Sequence, residues 1–180
     1  MHHQVMHFIY ETKMLYPEFF KNKRWLEIGA SNGYPSPKAH SAYCEWVGVD
    51  LEEGDHVDWV GLGHHYRDEK LFDVVAAFEV FEHDPYYDLT VTNMINHLKP
   101  DGLFIMTCAG LGRPEHGTSR LHPEASPFTS EIDNWKDFYQ NRTPEDFRKI
   151  PSFSNLHCGY WGINETSCDL YYRGRKKPNE

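Results

Sequence analysis

Acids at the ends of short apolar runs, with glycines between them, mark where this chain can do chemistry. In Arg24 to Asp50, RWLEIGASNGYPSPKAHSAYCEWVGVD, Glu27 interrupts Trp25, Leu26 and Ile28, and Asp50 closes the second run, Val47-Gly48-Val49. A carboxylate at the mouth of a buried strand is costly unless a cationic or hydrogen-bonding group meets it there. Gly29 and Gly33 bracket the small residues Ala30, Ser31 and Asn32, so the main chain can approach a ligand closely. Strand, glycine turn, strand, acid is the order in which an open α/β sheet binds a nucleoside cofactor. A dinucleotide fingerprint needs three glycines at positions that here hold Gly29, Ser31 and Tyr34, and Pro35 and Pro37 disfavour a helix starting at the turn. No G-K-S or G-K-T occurs, which excludes a Walker loop.

Titratable groups gather again downstream. Glu79-Val80-Phe81-Glu82-His83 follows the apolar run LFDVVAAF, and Gly110-Leu111-Gly112-Arg113-Pro114-Glu115-His116-Gly117 follows the run LFIMTC. Arg113 supplies a permanent cation, and His116 a group that titrates near neutrality. His116 is the first candidate for a general base, His83 the second, and Glu79 can orient a ligand or a histidine. Tyr86, Tyr139 and Trp135 offer aromatic walls for an acceptor. Twelve histidines raise the question of a metal. The adjacent His64 and His65 cannot both face one ion, and His116 with His122 and Glu115 or Glu124 makes a site only if their loop folds around it. No metal is expected.

The elements that position these groups follow from periodicity. Trp25 to Ile28, Val47 to Asp50, Val57 to Val60, Leu71 to Phe78 and Leu103 to Cys108 have the length and composition of buried strands. Asp84-Pro85 opens a helix carrying Leu89, Val91, Met94, Ile95 and Leu98, which Lys99-Pro100-Asp101-Gly102 stops. Phe153 to Trp161 and Ser167 to Arg175 are the last two strands. Residues 1 to 22 form an aromatic-rich helical cap, packed on the sheet or over the cofactor. Residues 109 to 150 form one insertion longer than ordinary connections, which places the acceptor site there. The whole, 1 to 180, is a single domain.

Glu27-Ile28-Gly29-Ala30-Ser31-Asn32-Gly33 resembles the first motif of class I S-adenosylmethionine-dependent methyltransferases, with serine in place of the middle glycine. FDVV, EVFEH, a helix and LKPDGLFIMT follow in the order that superfamily shows, and EHDPY with GRPEHGT is similar to a small bacterial and phage subgroup. The resemblance implies a Rossmann-like, doubly wound α/β fold: seven strands, mostly parallel, closed by an antiparallel C-terminal pair. It implies S-adenosylmethionine as cofactor. Glu27 would meet the methionine amino group or loop amides, and Gly29, Ala30, Ser31 and Gly33 would line the methionine. Asp50 would take the ribose hydroxyls and Leu51 the adenine. Gly61 and Leu62 would complete the adenine site, although relatives often carry an acid at the place of Leu62, and Phe78 and Glu79 would face the methyl end. The implied activity is methyl transfer to an oxygen or nitrogen of a small-molecule or glycan-related acceptor, with Arg113, Tyr86 and Tyr139 contacting it. A non-catalytic cofactor-binding module is the alternative reading.

Composition narrows the partners. There are 27 acidic against 18 basic residues, a net charge of −9, which argues against a nucleic-acid substrate. Arg173, Arg175, Lys176 and Lys177 form the one basic concentration and read as a solvated tail. Apolar runs are strand-length, so no membrane span is expected. A signal sequence is not evident. Cys44, Cys108, Cys158 and Cys168 lack C-x-x-C spacing, and three fall on expected buried strands, as reduced packing cysteines of a cytoplasmic monomer or homodimer would.

Overall fold

The structure, a computed structural model, describes residues 3–30 and 37–178. Of the motif residues, Ser31, Asn32 and Gly33 lie outside the described residues. The elements in chain order are helix α1 (His3–Leu15), strands β1 (Arg24–Ile28), β2 (Glu45–Asp50), β3 (Trp59–Val60) and β4 (Phe72–Phe78), helix α2 (Tyr87–His97), strand β5 (Leu98–Ala109), short helices α3 (Pro127–Ser130) and α4 (Pro144–Arg148), and strands β6 (Leu156–Asn164) and β7 (Asp169–Lys176). They build one seven-stranded sheet in the order β3-β2-β1-β4-β5-β7-β6. The first five pair in parallel, and β7 pairs antiparallel with both β5 and β6. This is the expected mostly parallel sheet with its antiparallel pair. The chain winds outward in both directions from β1 and β4, and a crevice opens outside their carboxyl ends, where ligands bind in such sheets.

Strand periodicity divides the core into two layers. Leu26 and Ile28 of β1, Val75 and Ala77 of β4, and Phe104, Met106 and Cys108 of β5 face α2 and the segment around Phe147 and Phe153. Their alternates Trp25, Val74, Ala76, Phe78, Leu103 and Ile105 face α1 through Val5, Phe8 and Ile9, and Phe19 and Phe20 join them from a 3₁₀ turn at Pro17–Phe20. The helix α1 therefore packs on the sheet. Phe8 stacks on Tyr171 of β7 at 4.8 Å.

The structure departs from the sequence reading at several edges. β6 starts at Leu156, because Pro151–Asn155 forms a 3₁₀ turn, and a bulge between His157 and Tyr160 puts Cys158 at positive φ on the surface. All four cysteines are free, but only Cys108 is buried. The basic cluster is no solvated tail. Arg173 is buried, stacked on Phe8 and Tyr160. Lys176 Nζ donates to the carbonyls of Ile95 and Leu98, where α2 ends and its dipole favours a cation. Arg175 Nε donates to the carbonyl of Asp101 at 2.6 Å. No helix among the described residues is long and apolar enough to cross a membrane.

Candidate functional site

A cavity of about 540 Å³ opens at the carboxyl ends of β1, β2 and β4, within the roughly 300–1,000 Å³ typical of ligand pockets. Its first end is built by the sheet. Glu27, near the end of β1, is 5 % exposed. Gly29 then takes φ +78°, and a Cβ there would run into Val80 Cγ2, so the turn calls for glycine. The amides of Gly29 and Ala30 both donate to the carbonyl of Val49, drawing the turn across β2. Asp50 ends β2 and its Oδ1 accepts from the Leu51 amide at 2.7 Å. The Gly61 amide donates to the Asp50 carbonyl, holding the loop after β3 against it. Glu27, Gly29, Ala30, Asp50, Leu51, Gly61, Phe78 and Glu79 all line the cavity. Leu62 does not. Its carbonyl accepts from the His65 amide in a 3₁₀ turn over Gly63–His65, and Gly63 lines the wall instead.

The second end is built by two segments that meet. After β4, Glu79 takes φ +58°, a conformation uncommon for a residue with a side chain, and its carboxylate accepts from the Thr107 hydroxyl at 2.8 Å. The turn 80–84 is clamped from outside by Arg142, whose guanidinium donates to the carbonyls of Phe81 and Asp84 and lies 3.7 Å over the ring of Tyr87. Gly110 to Arg142 leaves and returns beside β5, closed by the Arg142 amide on the Ala109 carbonyl. The turn brings His83 to the cavity and this segment brings His116, with ring centroids 5.1 Å apart. The ring of Tyr139 lies 5.5 Å from one and 5.1 Å from the other. Gly117, at φ +62°, makes room for His83, since a Cβ there would stand 2.6 Å from its Cε1.

The fold thus brings together two histidines that the sequence offers only as alternatives, 33 residues apart. Arg113 also lines the cavity, but its guanidinium is engaged with the Ser167 carbonyl at 2.7 Å and the Asp169 carboxylate at 3.4 Å. Tyr139 backs the histidines without lining the cavity, its hydroxyl donating to the Pro114 carbonyl. Tyr86 does not line it either, and its half-exposed ring packs near His64 and Trp135. Trp135, expected as an aromatic wall, does line the cavity, and the segment 124–129, which no spacing pattern marked, supplies the rest of that wall.

The electrostatics of the two segments are those of burial. Burial, helped by His116, pushes the His83 imidazole down to about 3, so it stays neutral at ordinary pH. Burial and the neighbouring Glu79 push the Glu82 carboxyl well up. Glu82 is wholly buried, no side chain hydrogen-bonds to its oxygens, and only the main chain at Glu82 and Ala109 faces them; Nδ1 of His83 is buried without a partner. His116 is half-buried, with Nδ1 3.0 Å from the Pro114 carbonyl. Ligand atoms of Glu82, His83 and His116 lie within 4.8 Å of one another and could hold a metal ion. The other grouping, His116 with His122, does not form. His122 is exposed beside Glu124, and Glu115 is taken up by Thr118 and Arg120. Glu82, to which the sequence assigned no role, joins His83 and His116 in the grouping that does form. Its signal was the adjacent acid and histidine at the end of a buried strand.

Known structures resemble this architecture at low identity. The N-methyltransferase NodS from Bradyrhizobium japonicum WM9 aligns over 96% of both chains with 15% identity and a TM-score of 0.60. The YcgJ protein from Bacillus subtilis aligns over 96% of this chain and 100% of its own with 15% identity and a TM-score of 0.62. The 1,6-didemethyltoxoflavin-N1-methyltransferase of Burkholderia thailandensis, solved with 1,6-didemethyltoxoflavin and S-adenosylhomocysteine, aligns over 92% of this chain and 76% of its own, with 17% identity and a TM-score of 0.59. This chain spans about half, 53%, of a phosphoethanolamine N-methyltransferase from Haemonchus contortus that it also resembles. No curated protein sequence is significantly similar to it. The methyltransferase domain model matches residues 1–154, and with the sheet order and the cavity at its switch point this shows that the chain belongs to the methyltransferase domain family.

Proposed function

We propose that the protein transfers a methyl group from S-adenosylmethionine to an oxygen or nitrogen of a small-molecule acceptor. The observation that carries this reading is one continuous cavity running from Glu27, Gly29 and Asp50 to His83 and His116, so donor and acceptor can lie end to end. Methyl transfer is an in-line displacement at a sulfonium carbon, and holding the two reactants at attack distance supplies much of the rate. Glu27 binds the methionine amino group, Gly29 and Ala30 with Ser31 and Gly33 the methionine chain, Asp50 the ribose, and Leu51 and Gly61 the adenine. Phe78 and Glu79 face the methyl end. Arg113 and Trp135 line the acceptor side, with Tyr139 behind the two histidines.

A protein base helps when the acceptor must lose a proton, as a hydroxyl does. His116 fits that role better than His83. A carbonyl only accepts, so the contact with Pro114 places the hydrogen on Nδ1 of His116 and leaves Nε2 with its lone pair. His83, held neutral to about pH 3, is a weak base. The four free cysteines suit a reducing compartment, and we place the protein in the cytoplasm.

Calorimetry with S-adenosylmethionine, followed by turnover against a panel of hydroxyl and amine acceptors and a labelled-donor incubation with cell extract, tests the reading. Stoichiometric cofactor binding and label in the small-molecule fraction are expected. Absence of cofactor binding would sink it. Label confined to a macromolecular fraction would replace the small-molecule acceptor.

A further inference from the structure

We propose that Glu82, His83 and His116 bind one divalent transition-metal cation at the acceptor end of the cavity. Three observations converge. The three side chains offer ligand atoms that all lie within 4.8 Å of one another. The Glu82 carboxyl is wholly buried, yet no side chain hydrogen-bonds to either of its oxygens and only the main chain at Glu82 and Ala109 faces them, while Nδ1 of His83 is buried without a partner. Leaving a buried polar group unsatisfied is costly, and more so for a charged one. A bound cation would remove that cost. The third observation is the fixed tautomer of His116: its Nδ1–H is spent on the Pro114 carbonyl. Metal-binding histidines are commonly held this way, with one nitrogen donating to a backbone carbonyl and the other free for the ion.

The surroundings also fit a designed site. Arg142 clamps the turn that carries Glu82 and His83, and the Gln140 amide donates to the Glu82 carbonyl, so the segment bearing His116 and the turn bearing the other two are tied together. Glu79 and Asp169 add negative charge near Glu82. Two imidazoles and one carboxylate suit a transition ion such as Mn²⁺, Co²⁺ or Zn²⁺ better than Mg²⁺ or Ca²⁺, which take oxygen ligands. Three protein ligands leave coordination positions open, and His83 and His116 both line the cavity into which those positions would face.

What the ion does rests on the methyl-transfer reading, whereas its binding does not. A hydroxyl that ligates it is acidified and gives its proton to water. The hydroxyl oxygen then bonds to the methyl carbon as the carbon–sulfur bond breaks, and the bonding pair stays on sulfur. The acceptor class is therefore an alcohol or phenol, and with the ion bound His116 serves as its ligand and no longer as a free base.

The test is equilibrium dialysis of the chelator-stripped protein against Mn²⁺ or Zn²⁺, with bound metal read by elemental analysis and thermal unfolding run alongside. About one equivalent should bind and raise the Tm. His116→Ala and Glu82→Gln should each weaken binding at least tenfold, while His122→Ala, at the exposed histidine nearby, should bind as the parent does. Binding below half an equivalent, or undiminished in His116→Ala, would overturn the proposal. His116 is half-buried, so its variant keeps the test open if Glu82→Gln does not fold. Calorimetry with S-adenosylmethionine on the same samples separates the two readings: cofactor binding without metal binding rejects only the ion, and metal binding without cofactor binding rejects only methyl transfer.

Discussion

At one end of the cavity Glu27, Gly29, Asp50 and Gly61 sit on or beside parallel strands whose main chains bond to one another, whereas at the other end His83 and His116 sit on segments that no strand ladder reaches. The sheet-built end is set by backbone bonds, such as Gly29 and Ala30 to Val49. The other end adds to a few backbone bonds, such as Gln140 to Glu82, a set of side-chain ties: Arg142 on the turn 81–84, Asn141 on the Arg113 carbonyl, Tyr139 on the Pro114 carbonyl, and Arg120 between Glu115 and Asp137. A site of this construction can change what it accepts by altering a few side chains while the cofactor end stays as the sheet dictates. It also means that the two ends should fail separately.

The largest separation is expected from His116→Ala. Turnover should fall by roughly 10²- to 10⁴-fold, the usual contribution of a group acting on the acceptor proton, with S-adenosylmethionine affinity within about twofold of the parent. A matching loss of cofactor affinity in calorimetry would break the comparison. Next is Arg142→Ala, which leaves the carbonyls of Phe81 and Asp84 without their donor and should cost about 3 kcal/mol. Hydrogen exchange should quicken at residues 81–84 and 110–142 while amides of β1, β2 and β4 keep their protection. Uniform loss of protection would show that the second end is part of the same cooperative unit as the sheet.

Asp50→Ala should weaken S-adenosylmethionine binding by about 2 kcal/mol, a loss on the order of a charge-assisted hydrogen-bond pair, and leave turnover at saturating cofactor nearly intact. Unchanged affinity would remove Asp50 from the ribose site. The smallest effect concerns the amino end of the sheet. Burial raises the Asp68 carboxyl, but hydrogen bonds from Arg24, the Lys70 amide and Tyr66 override it and hold the group down to about 2. A group whose folded value lies below its ordinary 3.8 contributes stability above pH 4–5, lost as pH falls through 3.8 toward 2. Solvent screening limits this to on the order of 1 kcal/mol. Asp68→Asn should flatten acid unfolding in that window without changing cofactor binding, and an unaltered acid profile would remove Asp68 from the balance.

The same contrast explains what could be read from the sequence. Strands and the glycine turn carry local signals, period two and a residue type demanded by backbone, so the sheet and Glu27, Gly29 and Asp50 were readable. Leu62 was misplaced by one structural step because Gly61 turns the chain before it. The wall at 124–129 and the meeting of His116 with Glu82 and His83 depend on how a long irregular segment returns, which Arg142 decides through contacts some sixty residues away in sequence. Nothing local encodes that path. The basic residues of β7 misled for a related reason. A charge run looks the same whether it is hydrated or, like Lys176, spent on the carbonyls that end a helix.

The packing of α1 has a consequence for how the molecule comes to be made. Phe8 stacks on Tyr171, and Arg173 reaches Thr12 across 161 residues of sequence. β7 also lies between β5 and β6, joining a pair that otherwise do not touch. Helix α1 therefore waits for β7, which is synthesised long after it. Such distant closures are slow, because the loop entropy is lost before the contacts form. Until β7 inserts, the edge of β5 and the apolar face of α1 stay exposed together, and the emerging chain is most prone to aggregate in that interval.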